Sequence, residues 1–180
     1  IQQACFGDEH RVVVLGGDVV LAYQKKPLTL TGDGHLTVDE LLRKAIKKLQ
    51  KERSGLKISH DSRKIDFCLA TQGISRDIVL GCGQTILALQ NANLAQGADA
   101  VLSTPEIKEK FGDICRDISS TLRAKFIGID LMVNRETGSY AVIEVNSRPG
   151  FERFVASGRK NRKAVQGVFK QCFRHIKKQF

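Results

Sequence analysis

Residues 126–146 read FIGIDLMVNRETGSYAVIEVN, two β-rich runs joined by Arg135-Glu136-Thr137-Gly138-Ser139. Side chains alternate faces along a strand. In the first run Ile127, Ile129, Leu131 and Val133 therefore form an unbroken apolar row suited to a core, and Gly128, Asp130 and Met132 face the other way. In the second run Ala141, Ile143 and Val145 share one face, and Val142, Glu144 and Asn146 share the other. Pairing Asn134 with Tyr140 sets a register in which Asp130 stands opposite Glu144, with Cα atoms ~4.5–5.5 Å apart. Two opposed carboxylates repel each other, and an ordinary sheet avoids them. Asn146 adds a third, neutral oxygen two residues along. Oxygens of Asp130, Glu144 and Asn146 converging on one point suit a hard divalent cation, and Mg²⁺ completes its shell with water and phosphate oxygens. The ordinary alternative is a solvated face where the two acids sit near lysines.

The rest of the chain supplies partners for this hairpin. RVVVLGGDVVLAYQ (11–24) is a pair of strand-like runs around Gly16-Gly17, a hairpin signal. Thr37 with Glu40 has capping-box spacing and opens a helix carrying Leu41, Leu42, Ala45, Ile46 and Leu49. Residues 51–64 read as an exposed polar connection and 65–90 as short strand-like pieces broken by Gly73, Gly81 and Gly83. Ser103-Thr104-Pro105-Glu106 starts a further helix, with Ile107, Phe111, Ile114, Cys115, Ile118 and Leu122 as its buried stripe. A terminal basic amphipathic helix (158–180) buries Val165, Val168, Phe169, Cys172, Phe173, Ile176 and Phe180. The fold class expected is α+β, a mainly antiparallel sheet flanked by amphipathic helices.

Charge and cysteine usage narrow the function. The 180 residues carry 29 basic and 19 acidic side chains, net +10. The excess concentrates in 41–53 and 158–180, and aromatic residues do not interleave with it as base-stacking platforms would, which argues against a dedicated nucleic-acid module. No apolar run approaches the ~18 residues a membrane span needs, so no membrane partner is expected. Five cysteines without a CxxC pair fit reduced thiols in a cytoplasmic protein rather than a zinc site or disulfide scaffold. His10, His35, His60 and His175 show no ligand spacing and read as scattered surface or loop residues.

GIDLMV (128–133), IEVNSRPG (143–150), GDEHRVVVLGGDVV (7–20) and PLTLTGDGHLTVDELL (27–42) together resemble the ATP-grasp superfamily, in its carboxylate–amine ligase branch. Cyanophycin synthetase, the glutathione synthetase module of fused bacterial enzymes and the ribosomal-protein glutamate ligases are similar to it from about Gly7 to Gly150. The resemblance implies two α+β lobes grasping ATP, with Mg²⁺ (or Mn²⁺) held by Asp130, Glu144 and Asn146. It implies activation of a carboxylate as an acylphosphate, which an amine of an amino acid or peptide then attacks to form an amide bond. Arg11 matches a family arginine and is a catalytic candidate for contacting phosphate, the alternative being a surface strand arginine; the tyrosine usually preceding it is His10 here. The loop Asn91–Ala98 is similar to the family's Asn-x-Asn-(Leu/Ile)-Ser-Thr-Gly-Gly loop, placing Asn93 beside the phosphates as a catalytic residue and Gly97 beside the substrate. Leu89 stands where relatives have an arginine, and Ala98 replaces the second glycine. Arg148 is a candidate for a substrate carboxylate. The resemblance further implies that the chain is the C-terminal ATP-grasp lobe (1–180) of a longer enzyme whose N-terminal lobe precedes Ile1.

Three functions follow as expectations. The first is an ATP- and Mg²⁺-dependent ligase domain. The second is a degenerate ATP-grasp module that binds nucleotide or a partner without catalysis, motivated by Leu89 and Ala98. The third is a polyanion-binding module using the basic helices. Oligomeric state is left open by the sequence.

Overall fold

The structure is a computed structural model that describes Cys5, residues 7–53 and residues 55–177. Two compact units form. One comprises the chain up to Lys25 together with Ala100 onward, and the other spans Lys26–Asp99.

The first unit is built on a five-stranded sheet. Its strands are β1 (Asp8–Leu15), β2 (Asp18–Lys26), β5 (Asp99–Leu102), β6 (Phe126–Val133) and β7 (Tyr140–Asn146), in the order β5-β2-β1-β6-β7. The β1–β2, β1–β6 and β6–β7 pairs are antiparallel. Gly16 and Gly17 take φ of +59° and +89°, as the expected β1–β2 hairpin requires. On one face of the sheet Val12, Val14, Ile127, Ile129, Leu131 and Val133 pack beneath α3 (Thr104–Thr121), which contributes Ile107, Phe111 and Cys115. The apolar row expected on 127–133 is thus the core. Ser103 occupies the N-cap position with Pro105 in the first turn, as the sequence predicts. Leu122, expected in the buried stripe, lies beyond the last helical residue and is exposed. The opposite face meets α4 (Glu152–Ala156) through Phe154, whose ring stacks on Tyr23 at 4.1 Å between centroids.

α5 (Arg159–Lys177) falls within the expected 158–180 helix, but not all of the expected apolar stripe is buried. Val165 and Val168 are buried, whereas Phe169, Phe173 and Ile176 are exposed and Cys172 is partly exposed. Helical spacing identifies a stripe, but only the neighbouring elements decide how much of it is covered. Phe180, predicted in the same stripe, lies outside the described residues.

The second unit holds α1 (Val38–Glu52), α2 (Arg63–Ala70) and the short antiparallel pair β3 (Thr29–Thr31) and β4 (Thr85–Leu87). Leu28, Leu30, Leu42, Ile46, Ile65 and Leu69 lie in its core. α1 begins with the capping box read from the sequence. The Thr37 hydroxyl accepts from the Glu40 backbone N–H, and the Glu40 carboxylate accepts from the Thr37 N–H at 2.9 Å. α2 corrects the expectation of strand-like pieces across 65–90: Ile65, Cys68 and Leu69 are buried at i, i+3 and i+4, the spacing of one helical face. Within this unit Asp39 joins Arg43, Arg76 and His60. His60 is therefore a network member rather than an isolated loop residue.

Thr37→Ala is expected to lower stability by about 1 kcal/mol in urea denaturation, since one of the α1 N-terminal N–H groups loses its acceptor. A second consequence concerns acid. The Arg43 hydrogen bond, aided by Arg76 and the His60 charge against an opposing burial contribution, holds the Asp39 carboxyl down at about 2. Its folded-state value lies below the unfolded value of about 3.9, so its stabilisation is complete above pH ~4 and fades as pH falls toward 2. Asp39→Asn is expected to flatten that part of the stability–pH curve.

Candidate active site

β1, β2 and β6 present one polar cluster on the face opposite α3. Asp130 pairs with Arg11 across β6–β1, and Arg11 pairs with Tyr23 across β1–β2. Arg11 grips Asp130 with two bonds, Nε to Oδ1 at 2.6 Å and Nη2 to Oδ2 at 2.8 Å. Lys25 Nζ donates to the same Oδ1 at 3.1 Å and to Glu9 at 2.5 Å. Asp130 is only 5% exposed. Burial works against the charged guanidinium of Arg11, but the Asp130 hydrogen bond and charge, with Glu144 adding a smaller part, outweigh it and raise its pKa. Burial, reinforced by Asp130 and Glu9 against the pull of Arg11, pushes the Tyr23 phenol up to about 12. The Arg11 side chain crosses Gly128. A Cβ there would lie 2.9 Å from the Pro149 side chain and 3.3 Å from Arg11 Nη1, so glycine is what permits the approach.

Asp130 and Glu144 are cross-strand partners, as the sequence register implies, but they become so by a different route. At the turn end Val133 pairs with Tyr140 and Leu131 with Val142, one residue out of the expected register. An irregularity between Asp130 and Leu131 then restores the Asp130–Glu144 and Gly128–Asn146 pairs. Ile143 is the extra residue of a β-bulge. The expected alternation along β7 is corrected accordingly. Tyr140 and Val142 share the α3 face with Leu131 and Val133, Tyr140 meeting Phe111 edge-on at 5.5 Å, while Glu144 and Asn146 share the face of Asp130 and Gly128.

The two carboxylates are not left to repel. Arg11 and Lys25 already supply positive charge to Asp130, so a bound metal is not required to make the pair tolerable. The set still suits a hard cation in its remaining donors. Asp130 accepts three bonds, which leaves about one lone-pair position. Glu144 is exposed. The Asn146 amide end is buried without a hydrogen-bond partner, and a half-turn of the carboxamide exchanges its nitrogen for its oxygen. Among the described residues no three His, Cys, Asp or Glu side chains cluster as a metal site. Arg148 follows on the exposed turn after β7.

Asn93 and Gly97 belong to the other unit. Asn93 caps a 3₁₀ turn (Leu94–Gln96), its Oδ1 accepting from the Ala95 N–H at 2.8 Å. Gly97 ends that turn at φ +92°, a left-handed position. Leu89 and Ala98 are both buried, Leu89 in the core of its unit. Ala98 also offers its carbonyl to Arg53 Nη1 at 2.8 Å. His10 corrects a further expectation: it is buried on β1, with Nδ1 3.0 Å from the Ser103 hydroxyl, and burial lowers its pKa against the raising effect of Asp8 and Glu106. Sequence reasoning missed Lys25 and Tyr23 as members of the cluster. Their alternation on β2 in phase with Arg11 carried the signal. Buried Cys115, its thiol pushed up to about 11 by burial, has no nucleophilic character.

No helix among the described residues is long and apolar enough to cross a membrane. Residues 77–164 match the RimK-like ATP-grasp domain. The chain is 30% identical over 162 residues to the glutathione biosynthesis bifunctional protein GshAB of Listeria welshimeri, covering 83% of this chain and 20% of that protein. It is 28% identical over 159 residues to the cyanophycin synthetase of Geminocystis herdmanii, covering 83% and 18%. The crystal structure of a bifunctional glutathione synthetase from Pasteurella multocida superposes with a TM-score of 0.69 at 22% identity, covering 94% of this chain and 25% of that one. The chain spans about a fifth of the length of the curated relatives it matches. Residues 77–164 are thus similar to the RimK-like ATP-grasp domain, and the chain has the α+β ATP-grasp fold.

Proposed function

We propose that this chain is the C-terminal ATP-grasp lobe of a cytoplasmic ATP-dependent ligase that joins a carboxylate to the amine of an amino acid or peptide. The observation that carries the reading is the Asp130–Glu144 pair with Asn146 next on the same face, set beside Arg11 and Lys25. The GshAB and cyanophycin synthetase relatives support the same class of reaction.

Phosphoryl transfer asks a protein mainly for positioning and charge neutralisation. Glu144, Asn146 and the remaining lone pair of Asp130 would hold Mg²⁺ or Mn²⁺, and such an ion, when bound, neutralises phosphate oxygens. Arg11 is locked by two of its nitrogens, and Nη1, beside Gly128, is the nitrogen left outside the pair. A guanidinium held this rigidly contributes a fixed positive field at little reorganisation cost when phosphate charge arrives. Carboxylate activation as an acylphosphate, with loss of ADP, followed by amine attack with loss of phosphate, is the reaction this arrangement serves. Asn93 and Gly97 keep their family-derived roles near phosphate and substrate within this reading. A non-catalytic nucleotide-binding module is the second reading, favoured by Leu89 and Ala98 being buried where the family pattern has arginine and glycine.

Glu144→Gln and Asp130→Asn are expected to behave differently. Glu144 is exposed, so its substitution should leave urea stability within about 0.5 kcal/mol while weakening Mg²⁺-dependent nucleotide binding. Asp130→Asn strips a buried partner from Arg11 and Lys25 and should cost about 3 kcal/mol of stability as well. Equilibrium dialysis with Mg²⁺·ADP and urea denaturation of each variant measure both effects. Unchanged nucleotide binding by Glu144→Gln would remove the metal assignment. Amine-dependent phosphate release from ATP by the protein separates the ligase from the non-catalytic module.

A further inference from the structure

Beside the polar cluster, on the first unit, lies a groove of about 550 Å³ that the reaction chemistry above does not use. Its floor is Pro149 and Val165, both buried, and its walls are Phe126, Phe151 and Phe169. The Phe151 ring contacts Phe169 edge-on at 5.9 Å and lies tilted by 41° to Phe126 at 6.5 Å, so the three rings form one continuous apolar wall. Phe169 remains 49% exposed, a large ring on a helix face that the described fold leaves uncovered. The size and apolar lining are those of small-molecule sites, which add a few polar groups to fix orientation. Here those groups are Arg148 and Glu152. Arg148 makes no ion pair or hydrogen bond among the described residues and is exposed on the NSRPG turn. The Glu152 carboxylate lies over the same turn, one oxygen falling 2.8 Å from where a Cβ on Gly150 would sit. The groove also adjoins the reacting face. Gly128, whose neighbour across the sheet face is Pro149, stands between Phe126 and Asp130 on one strand.

A cation and a carboxylate at the mouth of an aromatic groove are complementary to an α-carboxylate, an α-ammonium and an apolar side chain. We propose that this groove binds an amino acid, or the carboxyl-terminal residue of a peptide, bearing an aromatic or branched aliphatic side chain. Arg148 receives the carboxylate, Glu152 faces the amine of a free amino acid, and the Phe126–Phe151–Phe169 wall takes the side chain. The inference rests on the ligase reading and names its substrate class.

Equilibrium dialysis of the chain against radiolabelled phenylalanine tests this. Saturable binding is expected, weakened about tenfold or more in Arg148→Ala, because a charge-assisted contact is lost. A comparable loss is expected in Phe169→Ala. Both residues are exposed, and thermal unfolding of each variant shows that it is folded. Phenylalaninamide, lacking the carboxylate, should bind wild type and Arg148→Ala equally weakly. Displacement by glycyl-phenylalanine as effective as by phenylalanine assigns the groove to a peptide end, and weaker displacement assigns it to a free amino acid. Either result upholds the proposal. No binding of phenylalanine, equal displacement by glycine, or binding unaffected by Arg148→Ala overturns it. Mg²⁺·ADP dialysis on the same samples keeps the two readings apart. Nucleotide binding without phenylalanine binding defeats the groove alone, whereas Arg148-dependent phenylalanine binding without nucleotide binding defeats the ligase reading alone.

Discussion

A carboxylate buried as deeply as Asp130 is tolerated only if its charge is met, and the way it is met organises the centre of the sheet. Removing a lone carboxylate from water costs several kcal/mol even after relaxation. Arg11 on β1 and Lys25 on β2 return most of that through three hydrogen bonds, which tie β6 to its neighbour β1 and, beyond it, to β2 on a single face. The bidentate geometry also fixes the guanidinium plane. Tyr23, stacked on Phe154, closes the cluster from the α4 side, and its phenol stays protonated well above neutral pH. The central ion pair is therefore both a packing device and a source of fixed charge.

The bulge at Ile143 decides what that charge faces. Continued without interruption, the register at the turn would place Ile143 opposite Asp130 and Glu144 opposite Ile129, directing a carboxylate toward the apolar side under α3. One extra residue reverses the phase of everything after it. Glu144 and Asn146 are delivered to the polar face, while Tyr140 and Val142 stay on the side of Phe111. Bulges next to functional sites commonly re-aim side chains in this manner. Here the effect is to set an exposed acid beside a buried one.

The hairpin was legible from alternation, but the Asp130–Glu144 pair expected from an Asn134–Tyr140 register forms only because the bulge at Ile143 offsets the actual Val133–Tyr140 end pair. A turn sequence does not announce a bulge, because the extra residue is specified by packing on both faces rather than by its own chemistry. The capping box of α1 and the Ser103-Thr104-Pro105 start of α3 were readable because they are local. α2 was not, since eight residues supply barely two turns of periodicity and its β-branched and aromatic members mimic a strand. The partners of Asp130 were half visible. Arg11 drew notice as a family position, but Lys25 and Tyr23 enter the cluster only through the β1–β2 register. The exposed Phe169, Phe173 and Ile176 looked like core because spacing cannot distinguish a covered stripe from an open one.

The division between the two acids follows from burial. Asp130 has both oxygens engaged and little exposure, so it serves the fold continuously and has little capacity left for an incoming ion. Glu144, opposite it, is exposed and bears on Arg11 only through its charge. In the proposed site a cation would be held by Glu144 and Asn146, where the positive charges of Arg11 and Lys25 are already neutralised in part by Asp130 and Glu9. Without that neutralisation the two side-chain cations would repel a divalent ion. With it, the cluster would suit the proposed metal and phosphate, because its positive charge is held in place while its net charge stays low.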